Sequence, residues 1–205
     1  MQNLLEKIII WAVALVAKFG YGGIFLTMAL ESALLPVPSE VVLPFAGFLS
    51  SSGQLNFWLV VLIASLANLA GSVALYLVGI YGGRVLLKKY GHYFFIHEAE
   101  ITKVERWMRH YQGKVAFFSR LLPGVRGFSS LIIGAGGVGF KKFFWYTLFG
   151  SLIWNFWLAY AGYVAGNHWD WLGPYFRKFE WLIGAVIFIG VILFFIKHRR
   201  QSRAH

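Results

Sequence analysis

The chain has 205 residues, of which 59% are hydrophobic and only 13% are charged, and its mean hydropathy is +0.64. A soluble domain of this length could not bury so much apolar sequence, and no Asp, Glu, Lys or Arg occurs between Val41 and Gly83, so the composition predicts a polytopic membrane protein. The absence of cysteine excludes disulfides, thiolate metal sites and cysteine nucleophiles.

The net charge of +11 arises mostly from two basic stretches, residues 84–114 and 197–203. Both stretches directly flank apolar segments, as the positive-inside rule describes for cytoplasmic loops. We therefore predict no nucleic-acid partner, and we predict a basic cytoplasmic tail at residues 198–205. The six histidines lack the spacing of metal ligands, and neither a metal nor a cofactor is predicted.

The remaining segments can be taken in chain order. Residues 1–19 predict a helix that lies in the interface or within the membrane. Residues 57–83 and 143–166 are long and apolar enough to cross a bilayer, and residues 175–197 reach the same length when a lysine among them snorkels. With the C-terminus in the cytoplasm, the first two of these spans run in opposite directions. Between them, residues 98–111 predict an amphipathic helix on the cytoplasmic surface.

Two further apolar segments, residues 21–50 and 114–139, are broken near their middle. The residues that interrupt them are Pro36 and Pro38 in the first segment and Pro123 and Gly124 in the second. Because proline removes a helical hydrogen bond, neither segment can continue as one straight helix. Each arm is too short to cross a bilayer alone. We therefore predict two re-entrant hairpins that turn near mid-depth and return to the same face.

The order of hairpin and then span occurs twice, and Asn68 and Asn155 lie at comparable depths in the two spans. Because the spans are antiparallel, the repeat is inverted. The predicted fold class is an all-α polytopic membrane protein, an inverted repeat of re-entrant helical hairpin plus transmembrane helix. An interfacial amphipathic helix lies between the repeats and a C-terminal transmembrane helix follows them. Interrupted helices in inverted repeats form the midplane sites of transporters.

Charged residues flank both predicted turns, Glu31 and Glu40 at the first and Arg120 and Arg126 at the second. Each charge costs roughly 2.5–3.5 kcal/mol at the centre of a membrane helix unless it is paired or solvated. A structural cluster of salt bridges is one interpretation. The other is an anion site, because the arginine fork suits phosphate oxygens and a carboxylate in an apolar site can exchange a proton.

Neutral polar residues in the same segments are candidates for lining a pathway, namely Ser39, Asn68, Ser119 and Asn155. Hydrogen bonding between the two spans is an equally good interpretation of the asparagines. The tryptophans that cluster near the outer side, among them Trp154 and Trp157, are predicted to be interface anchors.

Two motifs carry a resemblance to a known family. The stretch ESALLPVPSE at residues 31–40, followed by VVLPFAG, and the stretch FFSRLLPGVRG at residues 117–127 resemble the DedA family, also called the SNARE-associated or VTT-domain family. The resemblance covers residues 20–170 and implies a transport domain there. It also implies a lipid transporter of the bacterial inner membrane, since members translocate undecaprenyl phosphate or phosphatidylethanolamine and eukaryotic relatives scramble phospholipids.

By this resemblance, the family's two acids correspond to Glu31 and Glu40, which would couple transport to protons. The family's two arginines correspond to Arg120 and Arg126, which would bind the lipid phosphate. The form P-S-E-V-x-x-P-F-A-G looks closest to the members that carry undecaprenyl phosphate. We therefore expect a proton-coupled flippase for a phosphate-bearing lipid, undecaprenyl phosphate first of all, with its C-terminus in the cytoplasm. A homo-oligomer is also compatible with the sequence.

Three other functions compete with this one. A phosphatidylethanolamine or phospholipid flippase or scramblase would use the same residues. A proton- or ion-coupled antiporter of a soluble solute would use the acids, but the arginines would repel cations. An integral lipid phosphatase is disfavoured, because residues 119–126 nearly match the S-R-x5-H motif but place Arg126 where the nucleophilic histidine must stand and Ser130 where its aspartate should be. We therefore expect that the protein is not an enzyme.

Overall fold

Seven helices make up the part of the chain that the computed structural model describes, residues 4–90, 113–121 and 126–166. They are α1 (Leu4–Phe19), α2 (Tyr21–Ser32), α3 (Ser39–Ser51), α4 (Phe57–Tyr90), α5 (Gly113–Arg120), α6 (Arg126–Ala135) and α7 (Phe140–Ala165). No strand occurs in these ranges, so the all-α prediction is confirmed for them. The predicted features that lie outside the described residues are the surface helix at 98–111, the break at Pro123 and Gly124, the span at 175–197 and the tail at 198–205.

Two of the helices are long and apolar enough to cross a membrane. They are α4 over Phe57–Gly82, with a mean hydropathy of 2.0, and α7 over Phe140–Ala165, with a mean hydropathy of 1.2. Each stretch has 26 residues, which at 1.5 Å per residue is about 39 Å and exceeds the ~30 Å hydrocarbon core of a bilayer. Asn56 caps the start of α4, since its side-chain oxygen accepts the backbone N–H groups of Trp58 and Leu59 at 3.0 and 3.2 Å.

Helix α2 ends in a strained turn. The N–H of Leu35 donates to the carbonyl of Leu30 at 3.0 Å and the N–H of Leu34 donates to the carbonyl of Glu31 at 3.2 Å, which are the paired bonds of a Schellman motif. Leu34 has a φ of 74°, in the left-handed region that costs a leucine roughly 1–2 kcal/mol. The break that follows, residues 33–38, contains both prolines predicted to interrupt the first segment.

The short helices pack on the two long ones in a crossed pattern. Helices α2 and α6 pack on α4, whereas α3 and α5 pack on α7. Gly47 and Gly162 bring α3 close to α7, and Gly134 and Gly79 bring α6 close to α4, because a Cβ at any of the four would overlap a backbone carbonyl of the facing helix. The two long helices also contact each other. This packing holds the ends of α2, α3, α5 and α6 against the pair of spans.

Candidate functional site

The four charged residues predicted to form the site all stand at helix ends that border the two breaks. Glu31 lies in the last turn of α2 and Glu40 in the first turn of α3, while Arg120 is the last residue of α5 and Arg126 the first of α6. Helix ends leave backbone donors and acceptors without intrahelical partners. Side chains placed here can therefore bind the backbone as well as each other.

Arg126 lies between the two carboxylates. Its Nη2 donates hydrogen bonds to Oε1 of Glu31 and to Oγ of Ser39, and it stands 3.5 Å from Oε1 of Glu40. The side chains of Arg126, Glu31 and Glu40 are only 7%, 8% and 16% exposed. An ion pair shielded to this degree is stronger than a surface pair, but each charge has also lost its hydration. A guanidinium that serves two carboxylates is therefore a costly arrangement.

Glu31 also caps helix α3 across the break. Its Oε1 accepts the backbone N–H of Ser39, the first residue of α3, at 3.0 Å, and a carboxylate is stabilised at a helix N-terminus. The other oxygen, Oε2, is buried and has no hydrogen-bond partner in the described ranges. One carboxylate thus connects α2, α3 and α6. A group that displaced Glu31 from Arg126 would also disturb the start of α3.

Arg120 is 2% exposed, and the hydrogen bonds that it makes within the described ranges go to neutral groups. Its Nη1 donates to Oγ of Ser72 on α4 at 3.0 Å and to the carbonyl of Arg126 at 2.9 Å, and its Nη2 donates to Oγ of Ser130 on α6. The ion pairs found among the described residues do not include it, and its Nε has no partner there. A buried cation surrounded by neutral groups attracts an anion.

Helix α7 forms the wall beside the two arginines. Gly150 makes room for Arg120, since a Cβ at this position would stand 2.9 Å from the Arg120 Cβ. About one turn further along, the ring of Trp154 lies beside Arg126, whose Cζ is 5.8 Å from the ring centroid and within cation–π range. The sequence predicts Trp154 to be an interface anchor, and it does not predict this contact between the ring and a buried guanidinium. The neighbouring Trp157 is 61% exposed.

The two asparagines form a buried chain of hydrogen bonds between the spans. Ser32 donates to Oδ1 of Asn68 at 3.1 Å, and Nδ2 of Asn68 donates to Oδ1 of Asn155 at 3.1 Å. Nδ2 of Asn155 in turn donates to Oγ of Ser65 at 3.0 Å, and that hydroxyl donates to the carbonyl of Val61. This is the interspan hydrogen bonding that the sequence left open as an alternative to pathway lining.

The hydroxyl residues differ in what they contact. Ser39 touches Arg126 directly, whereas Ser119 donates to the carbonyl of Ala116 within its own helix at 3.1 Å. Ser72 and Ser130, which hold Arg120, were not recognised from the sequence as site residues. A lone serine in an apolar helix carries no signal that distinguishes a bond to a distant guanidinium from a bond to the helix's own backbone.

The arrangement can hold an anion and exchange a proton. Guanidinium groups match the oxygens of a phosphate, and the carboxylates on Arg126 occupy the position that such an anion would take. A carboxylate that loses its cationic partner in a poorly solvated site tends to be neutralised by a proton. An anion that displaced the carboxylates from Arg126 would therefore favour proton uptake by those carboxylates.

A known protein family matches the part of the chain that contains most of these site residues. A family model described as the VTT domain matches residues 37–164, a segment that contains Glu40, both arginines and both long apolar helices except for the last residue of α7. Glu31 lies just before it.

Relatives cover nearly the whole chain. The uncharacterized membrane protein YkoX of Bacillus subtilis is 32% identical over 98% of this chain and 89% of its own length. Undecaprenyl phosphate transporter A of Bacillus subtilis is 28% identical over 98% of each chain. An alkaline phosphatase-like protein of Lactococcus lactis is 29% identical over 89% of each. No solved structure gives a significant match.

Proposed function

The chain belongs to the VTT-domain family, also called the DedA family, and from that premise we propose that it is a flippase for a phosphate-bearing lipid in the bacterial inner membrane. The substrate we propose first is undecaprenyl phosphate, as in the name of a relative that is 28% identical over 98% of both chains. A phospholipid such as phosphatidylethanolamine is the second candidate. We propose that protons are the coupling ion.

The observation that carries this proposal is the contact of Arg126 with both carboxylates. Arg126 donates to Glu31 and lies 3.5 Å from Glu40, in a place where all three side chains are shielded from solvent. Buried ion pairs often contribute little more stability than apolar side chains of the same volume. The cluster is therefore better explained by a ligand that competes for the guanidinium than by stability alone.

In the proposed cycle, a lipid phosphate takes the place of the carboxylates on Arg126. Arg120 stands beside it with a free Nε and no carboxylate partner in the described part of the chain, and it contributes a second positive charge. Glu31 and Glu40, released from the guanidinium, each become able to bind a proton. Loss of those protons restores the ion pairs and expels the phosphate. The movement of the lipid is thereby linked to the movement of protons.

The crossed packing supports an inverted repeat as the framework of this cycle. The second short helix of each half, α3 or α6, lies on the long helix of the other half through a pair of glycines. A glycine of positive φ, Gly53 or Gly137, also follows each of these short helices two residues after its end, shortly before a long helix begins. We propose that α2–α3 and α5–α6 are the re-entrant hairpins, with the C-terminus in the cytoplasm.

The competing functions fit the site less well. The name of the alkaline phosphatase-like relative suggests a hydrolase as an alternative. Arg126, however, occupies the position of the nucleophilic histidine in the S-R-x5-H motif, and a guanidinium cannot attack phosphorus. A cation antiporter would have to pass its substrate close to Arg120, which is buried and positively charged. A lipid phosphate uses both arginines.

The test is a flipping assay with the purified protein in proteoliposomes. Fluorescent undecaprenyl phosphate and fluorescent phosphatidylethanolamine are compared at two transmembrane pH gradients. The variants are Arg126→Lys, which keeps the charge but removes the planar fork, and Lys141→Gln, which removes an exposed charge at the start of α7.

We expect faster flipping of undecaprenyl phosphate, a rate that depends on the gradient, a loss of tenfold or more in Arg126→Lys and normal transport in Lys141→Gln. Normal transport by Arg126→Lys would mean that the fork does not bind the phosphate. Release of inorganic phosphate from the lipid would instead identify a hydrolase.

A further inference from the structure

Helix α7 carries three tryptophans, and one of them differs from the others in its surroundings. Trp145 and Trp157 are 54% and 61% exposed and face outward. Trp154 lies beside Arg126, with the guanidinium Cζ 5.8 Å from the ring centroid. A tryptophan that only anchors a helix in the membrane interface has no reason to contact a buried cation.

The indole nitrogen of Trp154 has no hydrogen-bond partner in the described part of the chain. Its Nε1 is buried, and no acceptor for it occurs among the residues that the structure describes. The indole N–H is a donor only, and buried tryptophans usually find an acceptor for it. An unsatisfied buried donor of this kind calls for a specific explanation, such as a ligand that supplies the acceptor.

A second buried donor without a partner in the described part of the chain belongs to another residue that contacts Arg126. The Nε of Arg120 is likewise buried and unpaired within the described ranges, and Arg120 reaches Arg126 through the carbonyl of the latter at 2.9 Å. Both unpaired donors therefore belong to residues in contact with Arg126. Trp154 contacts its guanidinium, and Arg120 contacts its backbone carbonyl. Two buried donors around Arg126 therefore lack acceptors in the described ranges, whereas Oε2 of Glu31 is a buried acceptor without a donor there. An oxygen-rich anion would supply acceptors for both donors.

We propose that Trp154 is a ligand-binding residue of the transport site, in which its indole N–H donates to an oxygen of the bound phosphate while its ring supports the Arg126 guanidinium. This inference rests on the proposed function and adds to it a residue and a geometric requirement. A ligand oxygen must reach both Arg126 and the edge of the indole ring. The unpaired Nε of Arg120 donates to the same headgroup.

The alternative is that Trp154 acts only through its ring, by packing against Arg126. The variant Trp154→Phe separates the two roles, because it keeps an aromatic ring and removes the N–H. The matched control is Trp157→Phe, which removes an indole from the same helix on its exposed face. The probes are farnesyl phosphate, farnesol and inorganic phosphate, added to the full chain in detergent micelles.

The experiment measures affinities and the NMR signals of ¹⁵N-labelled indole groups. We expect farnesyl phosphate, but not farnesol, to shift the Trp154 indole signal downfield. Trp154→Phe should raise the Kd for farnesyl phosphate about tenfold or more, the effect of losing one hydrogen bond to a charged group. Trp157→Phe should leave that Kd unchanged.

Two results separate failure of this inference from failure of the proposed function. If farnesyl phosphate binds the unaltered protein but neither moves the Trp154 signal nor binds Trp154→Phe more weakly, the role of Trp154 is refuted and the proposed function stands. If farnesyl phosphate binds no better than farnesol, both are refuted. An equal shift with inorganic phosphate at the same concentration would refute the lipid as the ligand of Trp154.

Discussion

Replacing Gly150 with alanine should displace Arg120 and slow transport. The added Cβ would stand 2.9 Å from Cβ and 3.1 Å from Cγ of Arg120, and 3.0 Å from the carbonyl oxygen of Phe117. Carbon atoms in ordinary contact are about 3.5–4.0 Å apart, so α5 would have to move away from α7 by about 0.5–1 Å. Overpacking of this kind typically costs about 1–3 kcal/mol of unfolding free energy.

The displacement has a functional consequence because Arg120 is held by hydrogen bonds to Ser72 and Ser130. Both would lengthen, so we expect the flipping rate to fall together with the unfolding free energy measured by SDS titration. The control is Gly22→Ala, since a Cβ at Gly22 would have no neighbour closer than 3.9 Å and alanine gains up to about 1 kcal/mol in a helix. If Gly150→Ala were as stable and as active as Gly22→Ala, the close packing of Arg120 against α7 would be refuted.

The hydrogen bond between Asn68 and Asn155 should appear as coupling in a double-mutant cycle. Changing either residue to leucine leaves one polar atom of the other buried amide unpaired and should cost about 1–3 kcal/mol. The double variant should lose about 0.6–1.7 kcal/mol less than the sum of the single losses. Purely additive losses in SDS unfolding would show that the bond is absent. Leu34→Gly should be neutral or stabilising by up to about 1 kcal/mol, because glycine adopts a φ of 74° without strain. Leu35→Gly, at the next position, should destabilise by about 0.5–1 kcal/mol, and equal losses in the two glycine variants would contradict strain at Leu34.

The parts of the fold that could be predicted from the sequence are those with local causes. Uncharged stretches longer than a bilayer predicted the two spans, and the helical character and the family resemblance are confirmed. The break between α2 and α3 follows from prolines that cannot continue a helix. The left-handed turn at Leu34 could not be predicted, because leucine carries no signal for a conformation that normally selects glycine.

Only some residues of the candidate site could be predicted from the sequence. Charges in an apolar chain predicted Glu31, Glu40, Arg120 and Arg126 as site residues, because each charge is expensive inside a membrane, and the structure places Glu31, Glu40 and Arg126 in contact. The sequence could not show which partners each arginine has. Arg126 lies against both carboxylates, whereas Arg120 donates to hydroxyl groups.

The contribution of α7 was missed for a related reason. Whether a tryptophan on a membrane helix points to lipid or to the protein interior depends on how the helix is rotated against its neighbours. That rotation is set by close packing, and at Gly150 by the room that a missing side chain leaves for Arg120. Periodicity within a uniformly apolar helix does not reveal it.

In the proposed mechanism, a lipid phosphate and the two carboxylates compete for Arg126. Infrared difference spectroscopy of the reconstituted protein, recorded on addition of farnesyl phosphate, observes the carboxyl groups directly. The account predicts that a band of protonated carboxyl appears on binding and that Glu31→Gln combined with Glu40→Gln abolishes it. Saturable binding of farnesyl phosphate to the unaltered protein with no such band would contradict the exchange of partners at Arg126.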